Sequence, residues 1–324
     1  MKRLAFFLLF GVFLVPAPLN GADAKIQAVA TIPDLADMAK NIGGDLIEVT
    51  SIATGVEDIH SVPMKPSFVM LLNRAGILFL MGLEVEHAFL PALLEVARNP
   101  RILRDAPGYI DCSVYITPLE VPTRIDRSLG DQHPAGNPHI NLDPVLGKDM
   151  ARALAAGLTR NYPQYASTFK QNLDTYLAKL DAAIARWEQE AAPLRGKKLV
   201  SYHPDLIYFA ERFGMEVVGT IEIRPGVDPT PGHIAELEEQ MRQEKVDFVV
   251  RELHYPAGLA ETVAQATGAK LVELPVMSGG RPETKDYISF IDYNLRTMLN
   301  AVQSGARTAM DPAVSQSGRQ APNS

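Results

Sequence analysis

The sequence predicts an α/β protein of two lobes, each a mainly parallel sheet flanked by helices, joined by one long connecting helix. Three observations carry this. Strand-like and helix-like stretches alternate over residues 26–81, the alternation resumes after Lys198, and between them lies a stretch from Pro163 to Ala191 without glycine or internal proline. Strands alternating with helices of crossover length imply right-handed βαβ units and parallel pairing.

In the first half, residues 26–32 read as a strand and 35–42 as a helix closed by Gly43-Gly44, since glycine suits the left-handed position that ends a helix. Residues 46–53 form a second strand. Lys65-Pro66 opens a helix that runs to Arg74, with proline at the first helical position where no amide is needed, and 77–81 is a third strand. The connector follows. Tyr165, Phe169, Leu173, Tyr176, Leu180, Ile184, Trp187 and Ala191 step by three and four, the mark of one apolar helical face, and Pro163 and Pro193 punctuate its ends. In the second half, 199–202, 216–220, 247–250 and 271–274 are strand-like, with helical stretches at 206–213, 231–244, 257–267 and 287–302. The expected organisation is a signal segment at 1–24, an N-terminal lobe at 25–162, the connecting helix at 163–192, a C-terminal lobe at 193–303, and a polar, disordered tail at 304–324.

The first residues set the chemistry available. Lys2 and Arg3 precede an uncharged apolar run from Leu4 to Val15, and Ala22-Asp23-Ala24 has the small-x-small form cut on export. The run is well short of the ~20 residues of a membrane-spanning helix. A cleaved signal, a periplasmic mature chain and, with no cysteine near the cut, no lipid anchor are expected. A net charge of −7 disfavours nucleic acid as a partner. The single cysteine, Cys112, excludes an intramolecular disulfide and reads as a buried thiol.

Three histidines stand at junctions where ligands bind. His60 lies in Gly55-Val56-Glu57-Asp58-Ile59-His60-Ser61-Val62-Pro63, between a strand and a helix; His139 lies in Gly136-Asn137-Pro138-His139-Ile140-Asn141-Leu142-Asp143-Pro144; His203 follows the strand at 199–202 directly. In an open parallel sheet the carboxyl edge of the strands is the binding edge. A two-lobed fold would turn all three toward one cleft, and neutral imidazole is a preferred ligand of borderline divalent ions.

At these residues the chain resembles the metal-binding subunits of ABC importers for zinc and manganese, the cluster 9 solute-binding proteins. The resemblance covers nearly the whole chain after the signal. It rests on His60 with the helix-opening Pro66-Ser67, on the Asn-Pro-His-x-x-x-Asp-Pro segment matched in full by residues 137–144, and on His203 with Phe209-Ala210-Glu211-Arg212-Phe213-Gly214. It implies the two-lobed fold, the long helix, a bound metal, and a membrane permease with a cytoplasmic ATPase as partner; a monomer is expected.

The chain departs from the family's pattern in two places. An aspartate usually follows the last strand as fourth ligand, yet Leu274-Pro275-Val276-Met277-Ser278-Gly279-Gly280 holds no carboxylate. Glu252, which by resemblance orients neighbouring groups, is the leading candidate for that position, with His254 or a water as alternatives. Where many zinc receptors carry a histidine-rich loop, only Asp131-Gln132-His133 is present, and His87 and His233 have no motif support and read as surface or helix-start residues. Three imidazoles with at most one carboxylate suit tetrahedral Zn²⁺, whereas Mn²⁺ prefers more oxygen ligands. Because a ligating imidazole must be neutral, affinity is expected to fall below about pH 6. The expected protein is a binding protein, not an enzyme. A zinc hydrolase is the alternative, with Glu252 as its general base, but no His-Glu-x-x-His helix supports it; an adhesin or metal chaperone on the same fold is a further reading.

Overall fold

A computed structural model describes residues 25–123, 133–223 and 227–304; the export segment and the tail beyond Ser304 lie outside the described residues. In the first lobe β1 (Ile26–Ala30), β2 (Ile47–Ser51), β3 (Ile77–Leu80) and β4 (Tyr109–Asp111) form one sheet in the order β2-β1-β3-β4, every pair parallel. The second lobe repeats the order with β5 (Lys198–Ser201), β6 (Glu216–Thr220), β7 (Phe248–Glu252) and β8 (Lys270–Leu274), arranged β6-β5-β7-β8 and again parallel throughout. All residues of β3 and of β7 are buried, as strands covered by helices on both faces require.

The crossovers of the first lobe are α1 (Pro33–Gly43), α2 (Pro66–Arg74) and α3 (Leu90–Ala97), and α4 (Pro144–Asn161) leads out of it. Strand β4 and helix α3 are additions to the sequence reading: β4 has only three residues, and α3 is apolar over nearly its whole length, so neither shows a clear period. Helix α4 runs through two glycines because its neighbours come too close for a side chain. A Cβ at Gly147 would lie 2.4 Å from the Tyr287 hydroxyl, and one at Gly157 would lie 2.3 Å from Ile110 Cδ1.

The connector is α5 (Ala166–Glu190), bracketed by 3₁₀ turns at Pro163–Tyr165 and Ala192–Leu194. The expected single helix tightens at both ends, where Pro163 and Pro193 sit in the terminal turns. Its buried face is Phe169, Tyr176, Leu180, Ala183, Ile184 and Trp187. It packs on α1 and α4 of the first lobe and on the last helix, α9 (Tyr287–Gln303). The remaining helices, α6 (Ile207–Phe213), α7 (Pro231–Glu244) and α8 (Ala257–Thr267), belong to the second lobe. One continuous core runs from β1 through α5 and α9 to Phe248, Val250, Val272 and Leu274; a smaller one lies under α7 and α8 around Val200, Leu237, Val249 and Val263. Cys112 is fully buried, and burial raises its thiol well above the ordinary range, so it behaves as a small apolar side chain.

The lobes also touch at the loop after β2. Gly55 has φ +106°, and a Cβ there would fall 2.2 Å from the Ser278 carbonyl oxygen. Both the backbone conformation and the interlobe contact therefore require glycine. Gly55→Ala is expected to lower stability by about 1–3 kcal/mol, read as a lower urea midpoint; an unchanged midpoint would show that the lobes do not meet there.

Candidate metal centre

Each of the three junction histidines is held by local chemistry. Asp58 shapes the His60 loop: its carboxylate accepts from the His60 amide at 2.8 Å and from the Ser61 hydroxyl at 2.9 Å, an Asx-type turn. His139 stands at the head of a 3₁₀ turn, Ile140–Leu142, and Asp143 then caps α4 by accepting from the Val145 amide at 2.8 Å. His203 lies just past β5, and β6 runs beside it, the Glu222 amide donating to the Tyr202 carbonyl at 2.8 Å.

The folding of the chain brings these three rings together. Their ligand nitrogens all lie within 4.8 Å of one another, and the ring centroids are 5.1, 5.1 and 5.3 Å apart. His60, His139 and His203 are only 8 %, 4 % and 3 % exposed. The Nε2 atoms of His60 and His139 are 3.0 Å apart, close to the ~3.3 Å between two nitrogens bound tetrahedrally at ~2.0–2.1 Å from one zinc ion.

Hydrogen bonds fix which nitrogen of each ring carries the lone pair. His139 Nδ1 lies 2.9 Å from Asn137 Oδ1, while the Asn137 amide nitrogen donates to Glu120 and to the Pro204 carbonyl. That network orients the amide, so Nδ1 of His139 must donate and Nε2 holds the lone pair. His203 Nδ1 lies 2.7 Å from the Glu222 carboxylate, which can only accept, with the same result. Such a carboxylate behind an imidazole orients the ring and raises its basicity toward a metal. Nδ1 of His60 is buried with no hydrogen-bond partner among the described residues. In the metal-free protein the His60 proton on Nε2 faces His139; with a cation between the rings it would move to Nδ1.

Burial pushes His60 down to about 3, with His203 adding to the effect, and holds His139 well below 6.5. Both rings stay neutral in the fold. Proton competition at these two therefore begins at lower pH than the sequence suggests, and the fall in affinity expected below about pH 6 moves to more acid conditions there. Stability responds with the opposite economy of protons. Between pH 6.5 and about 3 the unfolded chain binds a proton at His60 that the folded one refuses, so this ring's share of stability is lost as pH falls. His60→Asn lacks that penalty. Relative to the metal-free parent, the variant is expected to gain roughly 1–2 kcal/mol between pH 7.5 and pH 5 in urea titrations; a difference constant with pH would contradict the neutral, buried ring.

Glu252 and His254 lie outside the three-nitrogen group. Glu252 ends β7, fully buried, with its carboxyl against that of Asp205; burial raises Glu252 to about 7 and Asp205 well above the carboxylate range, the charge of Glu252 adding to the latter. His254 packs on Tyr255 with centroids 4.4 Å apart, and burial lowers it to about 4. In the segment after β8, where the resemblance implies an aspartate, Ser278 donates its hydroxyl to Asp34 at 2.6 Å. The sequence reading did not find Asn137 or Glu222 as orienting groups, nor His133, whose ring stacks on His60 at 5.0 Å. For Asn137 the signal was present in the Asn-Pro-His segment itself; for Glu222 only its place past a strand pointed to the site. The rest of the Asp131-Gln132-His133 segment lies outside the described residues.

Two motif segments also clasp the lobes. Arg212 donates from Nε and from a terminal nitrogen to the two oxygens of Asp143, both at 2.8 Å, and the Tyr208 hydroxyl donates to the Asn137 carbonyl at 2.7 Å. A two-point guanidinium–carboxylate pair sets direction as well as distance.

The family model described as zinc-uptake complex component A, periplasmic, matches residues 28–301. The zinc-binding lipoprotein AdcA of Streptococcus pneumoniae is 24% identical over 308 residues, 92% of this chain and 60% of that protein; the chain thus spans about 60% of the length of such relatives. The manganese ABC transporter substrate-binding lipoprotein PsaA of the same species is 26% identical, covering 84% of this chain and 87% of that one. A crystal structure of ZnuA superposes with a TM-score of 0.72 at 25% identity, covering 86% of this chain and all of the other.

Proposed function

Since the chain belongs to the family of periplasmic zinc-uptake components, we propose that it is an exported receptor that captures a divalent transition metal on His60, His139 and His203 and delivers it to an ABC permease driven by a cytoplasmic ATPase. The observation that carries the reading is the group of three buried nitrogens within 4.8 Å, two of them with the proton fixed on the far side of the ring. The names of the relatives span zinc and manganese, so the choice of cargo rests on the donor set. Three imidazoles favour Zn²⁺ over Mn²⁺.

The fourth position falls to a water molecule or to Glu252, which would have to leave Asp205 to reach it. Unchanged zinc affinity in Glu252→Gln identifies the water, and a loss of tenfold or more identifies the carboxylate. Export is supported by the apolar run from Leu4 to Val15 and the small-x-small site Ala22-Asp23-Ala24 after it. None of the described helices is long and apolar enough to cross a membrane. A transport role predicts that protein purified without added metal contains zinc and that its gene restores growth under chelation; metal-dependent turnover of esters or peptides with no such rescue would favour a hydrolase.

A further inference from the structure

Behind His203 the polar contacts do not end at Glu222. The oxygen of Glu222 that lies 2.7 Å from His203 Nδ1, Oε2, also accepts from the Tyr255 hydroxyl at 3.0 Å. A carboxylate can only accept, so one buried oxygen is pinned between an imidazole N–H and a phenol O–H. The topology explains the meeting. Strands β6, β5 and β7 lie side by side in that order, and Glu222, His203 and Tyr255 each follow the carboxyl end of one of them.

Tyr255 is itself held on several sides. Its ring stacks on Tyr202 with centroids 4.2 Å apart and planes 15° from parallel, and it lies 6.2 Å from the His203 ring at 24°. Its amide donates to the Glu252 carbonyl at 3.1 Å, closing the turn after β7. Its carbonyl accepts from the Arg251 guanidinium, which also pairs with Glu273. The hydroxyl is therefore delivered to Glu222 from a fixed ring.

We propose that Tyr255 is a positioning residue for the metal: its hydroxyl holds the Glu222 carboxylate against His203 Nδ1 and so keeps Nε2 of that ring directed at the cation. The inference rests on the reading of His203 as a ligand. A glutamate side chain has several rotatable bonds, and freezing it costs entropy. A second donor on the same oxygen freezes it when the chain folds, so that cost does not recur when the metal binds. Removing a group that touches a ligand directly typically weakens metal binding about 10–100-fold. Tyr255 stands one contact further out, and a smaller effect is expected of it.

Tyr255→Phe keeps the ring and its stacking on Tyr202 and removes only the hydroxyl. Zinc affinity, read by competition with a chromophoric chelator, would be compared for the parent, Tyr255→Phe, Glu222→Ala and the double variant. Tyr255→Phe should weaken Zn²⁺ binding about three- to tenfold and Glu222→Ala at least tenfold. Because the hydroxyl acts only through the carboxylate, the double variant should match Glu222→Ala within about twofold. NMR of the metal-free protein adds a reading that a merely structural role would not move. The His203 Nδ1 proton, shared with a carboxylate, should give a downfield signal that Tyr255→Phe broadens while the other histidines keep theirs. Parent-like affinity or an unchanged His203 signal in Tyr255→Phe overturns the proposal, and so do additive losses in the double variant, which would place the effect of the hydroxyl elsewhere. Should Glu222→Ala fold poorly, the comparison of parent and Tyr255→Phe carries the test. Failure of the underlying reading is separately visible, as parent-like zinc affinity in His203→Ala.

Discussion

Alanine in place of His60, His139 or His203 should weaken zinc binding at least tenfold each, about 1.4 kcal/mol, and the triple variant should bind no zinc at the site. The reason is the donor count: three nitrogens within 4.8 Å supply most of a tetrahedral shell, and no other metal-ligating group joins them among the described residues. His203→Ala should also cost stability, because Glu222 is only 4 % exposed and loses the imidazole N–H that its charge faces. His254→Ala is the comparison, a buried histidine outside the group, and should change affinity less than threefold. Competition against a chromophoric chelator reads the parent and all five variants on one scale; parent-like affinity in each of the single variants at His60, His139 and His203 would contradict the three-histidine shell.

Trp187→Ala should destabilise the protein by about 3–5 kcal/mol, the range for removing a fully buried large aromatic side chain. The indole is 0 % exposed, and its N–H donates to Asp292 on α9 at 3.0 Å. Both the cavity and the Asp292 oxygen, which keeps only Arg186 as a donor at 2.6 Å, fall where the connecting helix meets the last helix of the chain. Trp187→Phe should recover most of the loss by refilling the space without the hydrogen bond. Urea titrations would show the effect as a lower midpoint. A loss below about 1 kcal/mol would mean that the connector is not seated in the core as described.

The fold class was legible because its cues are periodic. The connector's apolar steps from Phe169 to Trp187 predict the face that is buried, and the repeated strand–helix alternation predicts two parallel sheets. What escaped was aperiodic: β4 is too short to alternate, and nothing in the sequence around Gly147 and Gly157 of α4 announces their close approach to Tyr287 and Ile110. At the site, His60, His139 and His203 could be singled out because each stands at a junction before a helix. Glu222 could not, since it reaches His203 only because β6 lies beside β5. The alternation of β7 suggests which way Glu252 points but not that Asp205 stands beside it, and no local pattern announces that His133 folds back onto His60.

Crystals of the zinc-loaded protein, with diffraction recorded on both sides of the zinc absorption edge, examine the metal centre itself. One anomalous peak bonded to nitrogens of His60, His139 and His203 at ~2.0–2.1 Å is the expected result. A peak elsewhere, or one bonded to fewer than two of these rings, would contradict it.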